Sequence, residues 1–185
     1  MEKIPYGELQ NVPLTKRLSL TSFESANADL NDFLKNDALV DQEWMVSKTY
    51  LCCWKKSITG YITLVTDTLE VKVVDEKDGI KGYPYHKYPC VRIARLAVDK
   101  TFERRGIGRF LMLAAIGMAI DVSSKIGCRY ITVDSKPGSV GFYEKHGFKL
   151  IEKYKDSDFP KMYLNMYPII KRMHADKDAQ GHAYG

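Results

Sequence analysis

The sequence predicts a mixed α/β or α+β layer fold, built from several strands, two helices and a βαβ step. Three observations carry this. Short segments rich in β-branched and aromatic residues recur between polar turns, from "SKTYLCCW" at Ser47 to "KMYLNMY" at Lys161. Two segments show helical spacing instead, with Leu30, Phe33, Leu34 and Ala38 on one stripe and Ile107, Phe110, Leu111, Ala114, Met118 and Val122 on another. The second stripe lies between "CVRIARLAV" and "RYITV" and so supplies the crossover of a βαβ step.

Taken in order, "LTKRLSLTSF" from Leu14 reads as a first strand, and "SANADLNDFLKNDALVDQ" as a helix capped by Ser25 or Asn27. "SKTYLCCW", the turn "KKS" and "ITGYITLVTDTLEV" read as an antiparallel hairpin. The polar, Tyr/Pro-rich stretch from Asp75 to Tyr88 is a long loop, a kind of segment that often carries function. In "CVRIARLAV", Val91 and Ile93 share one phase while Leu96 and Val98 share the other. Such a slip fits a bulge near Ala94–Arg95 that leaves the last backbone groups free for a ligand. It fits equally a strand buried on both faces. The helix of the second stripe ends at Gly127 as a C′ residue. "DSKPGSVGFYEKHGF" is a short helix with Ser135 near its cap, Pro137 in its first turn and Gly147 closing it. "FKLIEKY" and "KMYLNMY" are the last strands. Residues 1–173 read as one domain and "HADKDAQGHAYG", residues 174–185, as a disordered tail.

Composition narrows the function classes. The chain has 185 residues, 45% hydrophobic and 28% charged, with a formal charge of +5. No apolar run looks long enough to span a bilayer and Met1 begins no charged-then-apolar leader, so a cytoplasmic protein without a membrane partner is expected. Cys52, Cys53, Cys90 and Cys128 lack metal-site spacing, so buried free thiols and no metal are expected.

The chemistry concentrates in "FERRGIGRFLM", Phe102 to Met112. Its glycines fall between a strand and the first turn of a helix, where backbone N–H groups lack intrahelical partners and the helix dipole favours anions. Gly106 and Gly108 permit close approach of a diphosphate, and Arg104, Arg105 and Arg109 add positive potential. No Lys-Ser/Thr follows the second glycine, so the stretch is not a Walker A loop, and it is not G-x-G-x-x-G.

"RLAVDKTFERRGIGRFLM", followed by "VDSKPGSVGFYEKHGF", resembles the GNAT superfamily of acetyl-CoA-dependent N-acetyltransferases. The fold this resemblance implies is a central, mostly antiparallel twisted sheet with helices on both faces and one bulged, splayed strand, with a Q/R-x-x-G-x-G/A turn gripping the CoA pyrophosphate and a later helix carrying F-Y before G-F. Glu103 stands where the family prefers Gln or Arg, and Lys136 stands where it often has a cofactor-contacting Asn. The resemblance implies that Leu96, Ala97 and Val98 hold the pantetheine arm, and that Arg104, Arg105, Gly106, Ile107, Gly108 and Arg109 surround the diphosphate. It implies further that an N–H near Val98 polarises the thioester carbonyl, and that Tyr143 protonates the departing thiolate after direct attack by the amine. "ADLNDFLKNDAL", "YPCVRIARLAVD" and "FPKMYLNMY" are also similar to the acetyltransferase toxins of toxin–antitoxin pairs, which acetylate the α-amine of aminoacyl-tRNA. The partners this implies are an amine acceptor, aminoacyl-tRNA and an antitoxin protein. A homodimer is left open.

The residues themselves name no general base. Asp67 and Glu70 are candidates on the strand before the loop, each also readable as a solvated strand-end charge. An α-amine, with a pKa of about 7.7–8, needs little help from a base. His86 and His146 read as a loop and a helix-end histidine, and Cys128 has no histidine partner nearby in sequence. A CoA-binding module or a nucleic-acid-binding protein that lost catalysis is the competing class, and the intact Tyr143 argues against it.

Overall fold

The computed structural model describes residues 1–181. Its strands are β1 Gln10–Pro13, β2 Lys48–Trp54, β3 Ser57–Glu70, β4 Lys87–Val98, β5 Tyr130–Asp134, β6 Lys149–Leu150 and β7 Lys161–Asn165. They form a sheet in the order β1-β2-β3-β4-β5-β7-β6. The helices are α1 Ala28–Asp32, α2 Ala38–Glu43, α3 Ile107–Lys125, α4 Val140–Glu144 and α5 Tyr167–Gly181. The chain gathers into two units, Met1–Thr66 with Arg92–Met118 and Asp67–Val91 with Ala119–Gly185. Their boundaries fall inside β3, β4 and α3, where no linker composition marks them.

In the first unit, β1 and β3 both pair antiparallel with β2. The β2–β3 turn is two residues long, Lys55 and Lys56, both left-handed at φ 46° and 70°, the backbone that a tight hairpin requires. Asn27 caps α1 by accepting from the Leu30 N–H at 3.1 Å, as expected for one of the two candidates. A π-helical stretch, Phe33–Asp37, separates α1 from α2. Phe33, Leu34 and Ala38 are buried. Phe23 and Phe33 both pack on the fully buried Tyr61 ring, with centroids 5.6 and 6.4 Å away. The segment from Leu14 to Phe23 is not the expected strand. It is a pair of turns closed by Leu18 N–H to Thr15 O and Phe23 N–H to Leu20 O. Leu14 and Phe23 are buried core anchors at its ends, and anchors at the ends of a turn-rich segment imitate strand composition.

In the second unit, β7 pairs antiparallel with both β5 and β6. Stacked and edge-on rings link Tyr83, Tyr88, Tyr130 and Tyr163. The loop after β3 is pinned by Asp78. Its carboxylate accepts from Lys149 Nζ at 2.6 Å and from the Tyr163 hydroxyl at 2.9 Å. Its backbone carbonyl accepts from the Tyr130 hydroxyl at 2.7 Å and from Arg129 at 3.1 Å. Burial opposes ionisation of this carboxyl, but the hydrogen bonds from Lys149, Tyr163 and Asn165 outweigh it and hold the group below the ordinary carboxylate range.

Two expectations for the helices need correcting. Residues 174–181 continue α5, because a polar run without proline is compatible with a helix as well as with disorder; residues 182–185 lie outside the described residues. One helix, α3, is long and apolar enough by length and composition to cross a membrane. The charges that break its apolar run, Arg109 and Asp121, sit near its ends, so the average over the helix stays high. Ile107, Leu111, Met112, Ala115 and Ala119 are buried on one stripe, as in the core helix of a layered fold.

Candidate active site

Along β4 the buried positions are Tyr88, Cys90, Val91, Ile93 and Ala97, while Arg95 is exposed and Leu96 and Val98 are half-buried. The burial phase therefore shifts between Cys90 and Val91, and Ala97 stays in phase with Ile93. The Ala97 carbonyl lies under Gly60 of β3. A Cβ at Gly60 would come within 2.8 Å of that oxygen and 3.0 Å of the Ile107 and Leu111 side chains. Only a glycine lets β3 approach both β4 and the first turns of α3 this closely. Sequence reasoning missed Gly60, although an isolated glycine inside a strand run is the signal for such an approach.

At the end of β4 the Asp99 N–H donates to Thr59 O at 2.9 Å. The buried Asp99 carboxylate accepts from the Glu24 N–H and from both the N–H and hydroxyl of Thr101, at 2.9, 2.9 and 2.6 Å. These bonds fix the exit of the strand and deliver the chain to the glycine turn. There Arg104 has φ +59° and Gly106 φ +91°, an alternation of left-handed residues that turns successive N–H groups into an anion cradle. The turn runs directly into α3. Ile107, Gly108 and Arg109 are its first three residues, whose N–H groups have no intrahelical acceptor. A Cβ on Gly106 would meet only Tyr6, at 3.7 Å, so it is the backbone angle rather than crowding that demands glycine.

The three arginines differ. Arg104 and Arg109 are exposed. Arg105 is half-buried, with its guanidinium 4.9 Å from the Trp54 ring and 5.7 Å from the Phe102 ring, and its Nε donates to Glu2 O at 3.3 Å. Its carbonyl accepts from the Ile4 N–H at 3.1 Å. Trp54 is held in turn by donating its indole N–H to Glu8 at 2.9 Å. The Arg105 side chain thus fastens the turn to the N-terminal segment. The turn as a whole suits a diphosphate, with orphan amides, two left-handed residues and two free-standing cations.

Tyr143 belongs to the second unit. It sits on α4, 7% exposed, with edge-on contacts to Phe142 and Phe148 at 5.2 and 5.5 Å. Gly147, at φ +86°, closes α4 as expected. The Phe148 N–H then returns to Tyr143 O at 3.2 Å, so the F-Y…G-F spacing is what locks this tyrosine. Its hydroxyl bonds to none of the described residues, and burial pushes its pKa up to about 12. The phenol is therefore fully protonated at neutral pH, the state required of an acid.

The candidate bases are occupied. Asp67 accepts from the Thr132 hydroxyl at 2.9 Å and pairs with Lys161 at 3.6 Å. Glu70 pairs with Lys72 at 3.1 Å, and that pairing lowers its pKa and weakens it as a base. His146 Nδ1 lies 2.7 Å from Phe142 O at the end of α4, and His86 is exposed. Cys52, Cys90 and Cys128 are buried free thiols and Cys53 is half-buried. Burial raises the pKa of each, which removes them as nucleophiles.

Residues 24–162 match the family described as Acetyltransferase (GNAT) domain. The chain belongs to the GNAT acetyltransferases, and its reaction is N-acetylation with acetyl-CoA as co-substrate. It is 29% identical over 114 residues, 62% of this chain and 68% of the relative, to a tRNA-acetylating toxin of Mycobacterium tuberculosis. Two solved structures share the fold. AtaT complexed with acetyl-methionyl-tRNAfMet has a TM-score of 0.81 at 22% identity, covering 89% of this chain and 99% of that one. A mutant AtaT toxin bound to the C-terminus of the antitoxin AtaR and acetyl-CoA has a TM-score of 0.70 at 21% identity, covering 87% and 95%.

Proposed function

We propose that this acetyltransferase acts in the cytoplasm on the α-amine of an aminoacyl-tRNA and is restrained by an antitoxin partner. The observation that carries the acceptor is the likeness to the mycobacterial toxin, which extends over most of the chain rather than the cofactor turn alone. Acetyl-CoA supplies the activated thioester. The amides from Arg104 to Arg109 bind its diphosphate, with Arg104 and Arg109 adding charge and Arg105 holding the turn. Backbone groups of Leu96, Ala97 and Val98 position the pantetheine arm, and an N–H near Val98 polarises the carbonyl, a contribution of about 3 kcal/mol for one oxyanion donor. Tyr143 gives its proton to the leaving thiolate. No residue need act as a strong base, because an α-amine with a pKa of about 7.7–8 keeps a reactive neutral fraction near neutral pH, and the proton lost from nitrogen on attack can pass to water.

Expression in growing cells tests the reading. Translation should arrest, the arrest should vanish with Tyr143→Phe, and charged tRNA recovered from the cells should carry N-acetylated aminoacyl groups by mass spectrometry. Harmless expression of an enzyme that acetylates small amines in vitro overturns the acceptor.

A further inference from the structure

We propose that the loop from Ile80 to Lys87 is an RNA-contact surface, with Tyr85 the stacking platform for an unpaired nucleotide near the 3′ end of the acceptor. This rests on the tRNA reading above.

The loop sequence "IKGYPYHK" interleaves lysines with aromatics: Lys81 and Lys87 around Tyr83, Tyr85 and His86. Tyr85 is 68% exposed, an unusual position for a large ring on a loop this firmly held. Its ring meets Tyr83 edge-on at 5.4 Å, and Tyr83 stacks at 4.4 Å on Tyr88, which is 1% exposed. The outer ring is therefore mounted on a column that reaches the core. The loop backbone is fixed beside it, since the Ile80 N–H donates to the Tyr88 hydroxyl at 2.9 Å and Asp78 ties the preceding turn to Lys149 and Tyr163. A rigid ring loses little conformational entropy on binding, which favours stacking.

Lysines gather beside it. Lys72, Lys153 and Lys87 all act on the single carboxylate of Glu70, and a shallow cleft opens between Lys72, Val73, Ile151, Glu152 and Lys153. The loop's own acids are partly spent internally. Asp78 is paired with Lys149, and Asp75 accepts from the Lys77 N–H at 2.8 Å. Exposed aromatic rings beside lysines are the combination by which proteins hold single-stranded nucleic acid, through base stacking and phosphate contact.

The test uses the full chain and a fluorescent, uncharged tRNA minihelix with an unpaired 3′ end, followed by anisotropy at several salt concentrations. Tyr85→Ala should weaken binding about tenfold, in the range expected for one stacked base, and Tyr85→Trp should retain it. The double variant Lys81→Ala/Lys87→Ala should lower the slope of log affinity against log salt by about 0.7–0.9 for each phosphate it no longer neutralises. Acetylation of a small amino-acid amide should be unchanged in all three, which shows that the variants are folded. Unaltered binding by both Tyr85→Ala and the double variant overturns the surface, as does a parent protein that binds no RNA. An acidic peptide that binds in a Tyr85-dependent way while RNA does not also overturns it, in favour of a protein partner. The acceptor reading is judged separately. A parent that binds RNA through Tyr85 yet fails to acetylate charged tRNA leaves the surface standing and removes the acceptor. A Tyr85→Ala variant that acetylates charged tRNA with an unchanged KM does the reverse.

Discussion

Replacing Gly60 by alanine tests how tightly β4 is held against β3 and α3. The added Cβ would lie 2.8 Å from the Ala97 carbonyl oxygen and 3.0 Å from Ile107 Cγ2 and Leu111 Cδ1. The two side chains can shift by a few tenths of an ångström, but the backbone oxygen belongs to the central strand β4 and cannot do so without moving the strand. Overpacking of this kind costs about 1–3 kcal/mol, and an unyielding backbone neighbour puts the site at the upper end. Restricting the unfolded chain by a Gly→Ala change returns about 0.4–1 kcal/mol. The net loss should be about 2 kcal/mol. For a protein of this size each kcal/mol moves Tm by about 2–4 °C, so a fall of about 4–8 °C is expected by differential scanning fluorimetry. Because the displaced atoms lie on Ala97 and the first turns of α3, the KM for acetyl-CoA should rise as well. Gly60→Ala with the parent's Tm and KM would show that β3 and β4 have slack between them, and the argument for close approach would fail.

Further outcomes follow from the same geometry. Tyr143→Phe should keep the fold and acetyl-CoA affinity while kcat falls by about 10²–10⁴, measured where chemistry limits the rate. Because burial raises the Tyr143 pKa to about 12, its proton is present throughout neutral pH and is lost only in strong alkali. A Tyr143-dependent decline in kcat between pH 7 and 10 would contradict this. Gly106→Pro and Gly108→Val should each weaken acetyl-CoA binding at least tenfold by isothermal titration, about 1.4 kcal/mol. Asp78→Asn should cost about 1.5–3 kcal/mol, the range for hydrogen bonds to a charged group. The Asp78 carboxyl is held below its usual 3.8, so its contribution is present above that pH and disappears as pH falls through the lowered value. The stability gap between Asp78→Asn and the parent should therefore close in acid.

The parts of this protein that were legible in the sequence are those whose cause is local. The α3 helix, the Lys55–Lys56 hairpin and the Gly147 closure each depend on residues within a few positions of one another, and period or turn chemistry reports them. The face α3 buries is rotated from the expected stripe, with Met112, Ala115 and Ala119 buried and Phe110, Ala114, Met118 and Val122 half-buried. Leu14 to Phe23 failed for the opposite reason. Its buried ends satisfy a core assembled from Phe33, Leu51 and Tyr61, and nothing within the segment says that the chain turns instead of extending.

The same distinction runs through the site. The glycine turn announced itself as a strand–turn–helix junction, but what secures it did not. Arg105 is bound to Glu2 and Ile4, about a hundred positions earlier in the chain, and stacks on Trp54 of the neighbouring hairpin. Composition alone makes Arg104, Arg105 and Arg109 equivalent cations; packing makes Arg105 a fastening and leaves the other two exposed. That separation has a measurable consequence. Arg104→Ala should raise the KM for acetyl-CoA with little change in Tm, because an exposed cation contributes mainly charge. Arg105→Ala should lower Tm and raise KM together, because it frees both the N-terminal segment and the turn. Arg105→Lys should restore only part of either effect, since it keeps the charge over Trp54 and loses the planar stacking and the Nε donor to Glu2. Equal behaviour of Arg104→Ala and Arg105→Ala in both measurements would mean that the turn holds its left-handed backbone unaided.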